Sequence, residues 1–145
     1  MTLILSFIQI SIVTGARLEH RGINIGNNSL ISLGDIGEGP NALLCVTDKV
    51  LCCGETDGNW YLPEGTRLPS DAVTSDDQTL YVSREGNQTV RLNHNMNTTD
   101  VNGQSSFGIF SCGIQDRLDN LNYLYVGIYP PNEGKRVAKC LWCEE

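Results

Sequence analysis

Apolar and polar residues alternate along most of this chain in short runs, and Gly, Pro or Asn separates one run from the next. A period of two places every second side chain on one face of a strand, so each run reads as a strand with one buried face. The first is Ser29 to Leu33, closed by Gly34. In the second, Asn41 to Thr47, Leu43, Cys45 and Thr47 share a face. In the third, Asn59 to Leu62, Trp60 and Leu62 do. Leu62-Pro63-Glu64-Gly65 has proline at the second turn position and glycine at the fourth. That fits a type I turn with a left-handed glycine leading into Thr66-Arg67-Leu68. Thr79 to Val82 and Gln88 to Leu92 flank Glu85-Gly86-Asn87, a hairpin pattern. Phe107 to Ile114 puts Phe110 and Cys112 on one face. Leu121 to Tyr129 turns Leu124, Val126 and Ile128 inward and Tyr123, Tyr125 and Tyr129 outward, until Pro130-Pro131 ends it.

No window of a dozen residues holds apolar side chains at helical spacing without Gly, Pro or Asn breaking it. Seven to nine short strands with regular turns predict an all-β protein, a two-sheet sandwich with Greek-key connections. The 145 residues suffice for one core. The chain divides into residues 1–16, an N-terminal extension 17–28, the sandwich 29–129 and a cysteine-containing tail 130–145.

Residues 1–16 carry no charge, run apolar from Leu3 to Val13 and end in the small residues Thr14, Gly15 and Ala16. This is the pattern of a secretory signal cut near Gly15 or Ala16, too short for a membrane span. Nothing else approaches the length of a spanning helix, so no membrane-spanning segment is expected. Six cysteines in a small chain suit an oxidising compartment. Acceptor triplets for N-glycans begin at Asn27, Asn87 and Asn97. The expected location is therefore extracellular. A net charge of −7, with no basic run longer than Lys135-Arg136, argues against nucleic acid as a partner.

Cys45 and Cys112 bracket Trp60, and all three lie in runs of period two. Together with the strand pattern, this spacing resembles the immunoglobulin superfamily over about residues 29–129. More narrowly, Asn41-Ala42-Leu43-Leu44-Cys45, Cys52-Cys53, Gly58-Asn59-Trp60-Tyr61 and Tyr123 to Pro131 look like ectodomain modules of surface receptors from early-branching animals. The resemblance implies an Ig-like sandwich pinned by a Cys45–Cys112 disulfide, with Trp60 and Phe110 in the core. It implies a non-catalytic adhesion or recognition module that binds an extracellular or cell-surface protein and needs no cofactor. One departure stands out: Phe110 occupies the position of the family's corner tyrosine, and Ser106 that of its aspartate. The corner hydroxyl's hydrogen bond, worth about 1 kcal/mol, is lost while the aromatic packing stays.

Other chemistry is thinly supported. Cys52, Cys53, Cys140 and Cys143 allow further disulfides, one of which could tie the tail to the loop after the second strand. A redox site at Cys140-Leu141-Trp142-Cys143 is the alternative, giving a small secreted thiol–disulfide protein, but no helix N-terminus is available to lower a thiol pKa. Zinc held by these four thiolates has C-x-x-C spacing on one side only. Asp71, Asp76 and Asp77 lack calcium-loop spacing, so no metal site is expected. His20 and His94 lack a nucleophile context and are expected as solvated loop residues, leaving no catalytic residue. A third reading is a truncated receptor ectodomain.

Partner contacts are expected from the loop Asp48 to Gly58, the loop Gln115 to Asn120 and the outward tyrosines, among Tyr61, Tyr81, Tyr123, Tyr125 and Tyr129. Exposed tyrosine brings large contact area at low entropic cost, although cross-strand pairing accounts equally well for Tyr123 and Tyr125. The specific candidates are Tyr61, Asp116, Arg117 and Asp119. Glycans at Asn87 and Asn97 are expected to cover the end of the sandwich opposite these loops.

Overall fold

The computed structural model describes residues 15–52, 58–68, 80–95 and 107–130. Nine strands are present among them: β1 (Arg17–His20), β2 (Ile23–Ile25), β3 (Ser29–Ser32), β4 (Leu43–Val46), β5 (Gly58–Tyr61), β6 (Leu80–Glu85), β7 (Thr89–His94), β8 (Gly108–Gln115) and β9 (Leu121–Tyr129). They form a five-stranded sheet in the order β2-β1-β4-β7-β6 and a four-stranded sheet in the order β3-β9-β8-β5. All pairings are antiparallel except β3 with β9. The fold is an immunoglobulin-like sandwich, with the B and F strands of that architecture supplied by β4 and β8.

The inward residues of both sheets meet in one apolar core in which Leu43, Trp60, Val90, Phe110, Ile114, Val126 and Ile128 have no exposed surface. Cys45 on β4 and Cys112 on β8 are joined by a disulfide across the layers. Trp60 lies directly beside Cys112 in the register, so the indole and the bridge share the inner face. Its ring nitrogen crosses to the other sheet and donates to the Val90 carbonyl at 3.1 Å. A buried indole N–H without a partner would cost roughly 1–3 kcal/mol, so this bond is what lets a tryptophan sit at the centre.

Both hairpins expected from turn chemistry are present. Gly65 is left-handed (φ 99°), Leu62 N–H donates to Thr66 O at 2.8 Å, and Leu68 N–H donates to Trp60 O at 3.0 Å. Gly86 (φ 63°) turns β6 into β7.

Residues 17–28 are not an extension lying outside the sandwich. β1 pairs with β4 from Arg17↔Val46 to His20↔Leu43, and Leu18 is 1% exposed in the core. A two-residue turn, Arg21-Gly22, with positive φ at both positions, hairpins β1 into β2. β1 was hidden because one buried leucine between charged residues makes no visible run.

Both histidines prove structural. Buried His94 places Nδ1 3.1 Å from the carbonyls of both Leu33 and Ile36. Two carbonyl acceptors require a proton on that nitrogen. Nε2 of His20 lies 2.9 Å from Asp35 O. From two strands, the rings hold the Leu33–Ile36 turn that carries the chain from β3 toward β4.

Candidate functional site

The register assigns the outer face of the four-stranded sheet residue by residue. β5 contributes Asn59 and Tyr61, and β8 contributes Ile109, Ser111, Gly113 and Gln115. β9 contributes Leu121, Tyr123, Tyr125, Gly127 and Tyr129, and β3 contributes Leu30 and Ser32. None of these strand residues is charged; the exposed Arg67 is bridged opposite Tyr61 at the β5 edge. The opposite outer face, on the five-stranded sheet, is studded with ions: Arg17 pairs with Glu19 (2.6 Å) and Arg91 with Glu85 (2.9 Å). In a chain with 19% charged residues this asymmetry distinguishes one face from the other.

Ser111 sits at the centre, flanked in register by Tyr61 on one side and Tyr125 on the other. The Tyr61 and Tyr123 rings meet across Gly113, with centroids 6.5 Å apart and planes inclined by 59°. A Cβ on Gly113 would stand 2.9 Å from Tyr123 Cε1 and 3.3 Å from Tyr61 Cε1, so the missing side chain is what lets the rings close over the backbone. Tyr61 is consequently half-buried, whereas Tyr123 and Tyr125 are 48% and 40% exposed. Tyr81 belongs to the other sheet, where its hydroxyl donates to the Glu38 carboxylate.

At one end of this face the β8–β9 loop is clasped to the segment after β4. Thr47 Oγ1 donates to Gln115 O (2.6 Å), and Lys49 Nζ donates to Gln115 Oε1 (2.8 Å) and Asp119 Oδ1 (2.7 Å). Arg117 N–H donates to Asp48 Oδ1 at 3.0 Å. Of the four expected partner residues, Tyr61 lies on the sheet face, and Arg117 and Asp119 lie exposed on the loop. Asp116 is turned inward on the loop's own framework. Its Oδ1 accepts from Leu118 N (2.9 Å) and Asn120 N (3.0 Å), and its Oδ2 from Asn122 Nδ2 (3.1 Å). The Asn122 amide first, then the two backbone N–H groups, hold its carboxyl below the usual range. An Asp116 substitution therefore disturbs the loop rather than sampling a contact surface. Asp119 adopts the left-handed conformation (φ 67°) that aspartate tolerates better than most residues.

The Asn87 turn does not lie at the opposite end. Leu51 N–H donates to Asn87 O (2.6 Å) and Thr47 N–H to Gln88 O (3.0 Å), so this sequon abuts the loop after β4. A glycan there would shield the flank nearest the five-stranded sheet and would not mark the far end as blocked. Asn27 is exposed, and its Oδ1 accepts from Tyr125 N at 2.7 Å. Asn97, Cys53, Cys140, Cys143, Asp71, Asp76 and Asp77 lie outside the described residues. Cys52 is disulfide-bonded and so offers no thiolate to zinc. Among the described residues no group of three or more His, Cys, Asp or Glu is placed to hold a metal, and no helix is long and apolar enough to cross a membrane.

Neither a family model nor a curated protein matches the chain. Among solved structures it is similar to one described as the crystal structure of the ZIG-8 IG1 homodimer. That similarity has 19% identity and a TM-score of 0.39, over 72% of this chain and 82% of the other.

Proposed function

We propose that the chain is an extracellular, non-catalytic recognition module that engages a protein partner through the outer face of its four-stranded sheet, with Arg117 and Asp119 at the rim. The observation that carries this reading is the absence of charge from a tyrosine-rich sheet face while the opposite face is ionic. Interface cores are depleted in charged residues and enriched in tyrosine, because desolvating an ion is costly and a tyrosine ring buries much area with few rotors. An ordinary solvated sheet face has the composition seen around Arg91 and Glu85. Cross-strand packing explains the Tyr61–Tyr123 contact, but it gives no reason for the outward residues of all four strands to lack Lys, Arg, Asp and Glu. That leaves Arg67 at the β5 edge as a rim charge beside Tyr61.

The test uses the oxidised, glycosylated chain binding to intact cells from the source tissue. Tyr125→Ala and Tyr123→Ala should each weaken binding at least tenfold, about 1.4 kcal/mol, with the thermal midpoint nearly unchanged. Full binding by both variants refutes the assignment.

A further inference from the structure

A half-open cavity of about 370 Å³ lies where the start of the described chain meets the β8–β9 loop. It is lined by Gly15, Ala16, Asp48, Asp116 and Arg117, among others. Asp48 stands between two parts of the chain: Oδ1 takes the Arg117 N–H, and Oδ2 takes the Gly15 N–H at 3.0 Å. The Gly15 bond is the largest cause holding the Asp48 carboxyl below its usual range, with Arg117's N–H and charge adding to it. Ala16 packs against the core, and β1 begins at the next residue. The point at which the signal-like segment gives way to small residues thus coincides with a fixed carboxylate.

We propose that removal of residues 1–15 leaves Ala16 as the first residue and that Asp48 is the built-in counter-ion for the new α-ammonium group. This rests on reading the N-terminal segment as a cleaved signal. In extended chain the Ala16 nitrogen lies no more than about 3.6 Å from that of Gly15. Hydrolysis of the Gly15–Ala16 amide by water leaves a carboxylate on the released segment and an amine on Ala16, protonated near neutral pH. A backbone N–H offers Asp48 one donor and no net charge, whereas the ammonium offers three donors and a full charge. Asp48 then joins the mature amino terminus to the loop that rims the proposed binding face. The charged groups lining the cavity are Asp48, Asp116 and Arg117. The Arg117 guanidinium lies 3.6 Å from Asp48 Oδ2, so the ammonium would share that carboxylate with it, and both Asp116 oxygens are held by the loop. Lys49 is engaged with Gln115 and Asp119.

An α-amino group beside a fixed carboxylate titrates above its ordinary value of about 7.7–8.0. Its contribution to stability is complete below that range and is lost as pH rises through the raised value. The experiment starts with intact mass and N-terminal sequencing of the chain secreted under its own signal. Competitive acylation of the α-amino group from about pH 6.5 to 9.5 then follows its titration. Expected are a first residue of Ala16, a titration midpoint above about 8, and return to the ordinary range in Asp48→Asn. In that variant the side-chain amide oxygen can still accept from the Arg117 N–H. Asp48→Glu, which keeps the charge, should retain the raised midpoint and guards against misfolding of Asp48→Asn. A first residue of Arg17, or an Ala16 amine that titrates normally and ignores Asp48→Asn, overturns the proposal. Retention of residues 1–15 overturns it too, by removing the signal reading, and leaves the tyrosine face to be judged by its own test.

Discussion

Replacing Trp60 with phenylalanine probes the junction on which the two layers depend. The indole is fully buried, lies beside the Cys45–Cys112 bridge and donates to Val90 O on the opposite sheet. Phenylalanine keeps a ring on the inner face but removes two carbons and the ring N–H. The carbons account for about 1.6 kcal/mol at ~0.8 kcal/mol per buried methylene equivalent. The hydrogen bond adds about 1 kcal/mol. Trp60→Phe should therefore lower stability by about 2–3 kcal/mol, and Trp60→Ala by about 3–5 kcal/mol or more because it leaves a cavity between the sheets. Against a typical total of about 5–15 kcal/mol, the phenylalanine variant should still fold, and the alanine variant approaches the limit. Urea melts of the oxidised chain read both: the midpoint should fall while the slope stays constant. A loss below about 0.5 kcal/mol for Trp60→Phe, at unchanged slope, would show that the indole neither fills the inter-sheet space nor bonds across it.

Four further outcomes follow from particular contacts. Cys45→Ala should cost about 2–5 kcal/mol, since a bridge closing a 67-residue separation restricts the unfolded chain strongly, and loss of secreted folded protein is the readout. Gly108 (φ 130°) would place a Cβ 2.7 Å from Pro63 Cγ, so Gly108→Ala should cost about 1–3 kcal/mol in a denaturant melt. Gly113→Ala meets only movable tyrosine rings and should cost less than Gly108→Ala, while it parts Tyr61 from Tyr123. Asp48 and Asp116 both titrate below the usual carboxylate range, so the fold favours their ionised forms. Their stabilising contributions should be complete above about pH 4 and fade as pH falls through the lowered values. Asp116→Asn should flatten that acid limb in a series of thermal melts.

Strands with several inward apolar residues were plain in the sequence. The alternations around Cys45, Trp60, Val90, Cys112 and Val126 became β4, β5, β7, β8 and β9, and the turns at Gly65 and Gly86 were specified by their own chemistry. β1 and β2 were not legible, because a strand that buries only Leu18 produces no period. The Arg21-Gly22 pair was the available signal, since a two-residue hairpin turn favours glycine. The parallel seat of β3 on β9 depends on which edge is free, and that is a property of the finished sheet. The site divides in the same way. Outward tyrosines can be counted by parity along a strand, but which of them share a sheet cannot, and Tyr81 fell on the wrong one. Asp116 looked like a free loop acid because the hydrogen bonds that employ it come from Leu118, Asn120 and Asn122 only once the hairpin closes. The uncharged face itself emerged when the register of four strands was combined.

Placing a charge at the centre of that face tests recognition most directly. Ser111 lies between Tyr61 and Tyr125, and Asn24 is an exposed residue of β2 in the other sheet. The measurement compares equilibrium binding of Ser111→Arg and Asn24→Arg with that of the parent chain on the same cells, each variant first confirmed as folded by its thermal midpoint. If the tyrosine face is the interface, Ser111→Arg loses at least tenfold in affinity, about 1.4 kcal/mol or more, and Asn24→Arg binds as the parent does. Parent-like binding by Ser111→Arg, or a loss confined to Asn24→Arg, contradicts it.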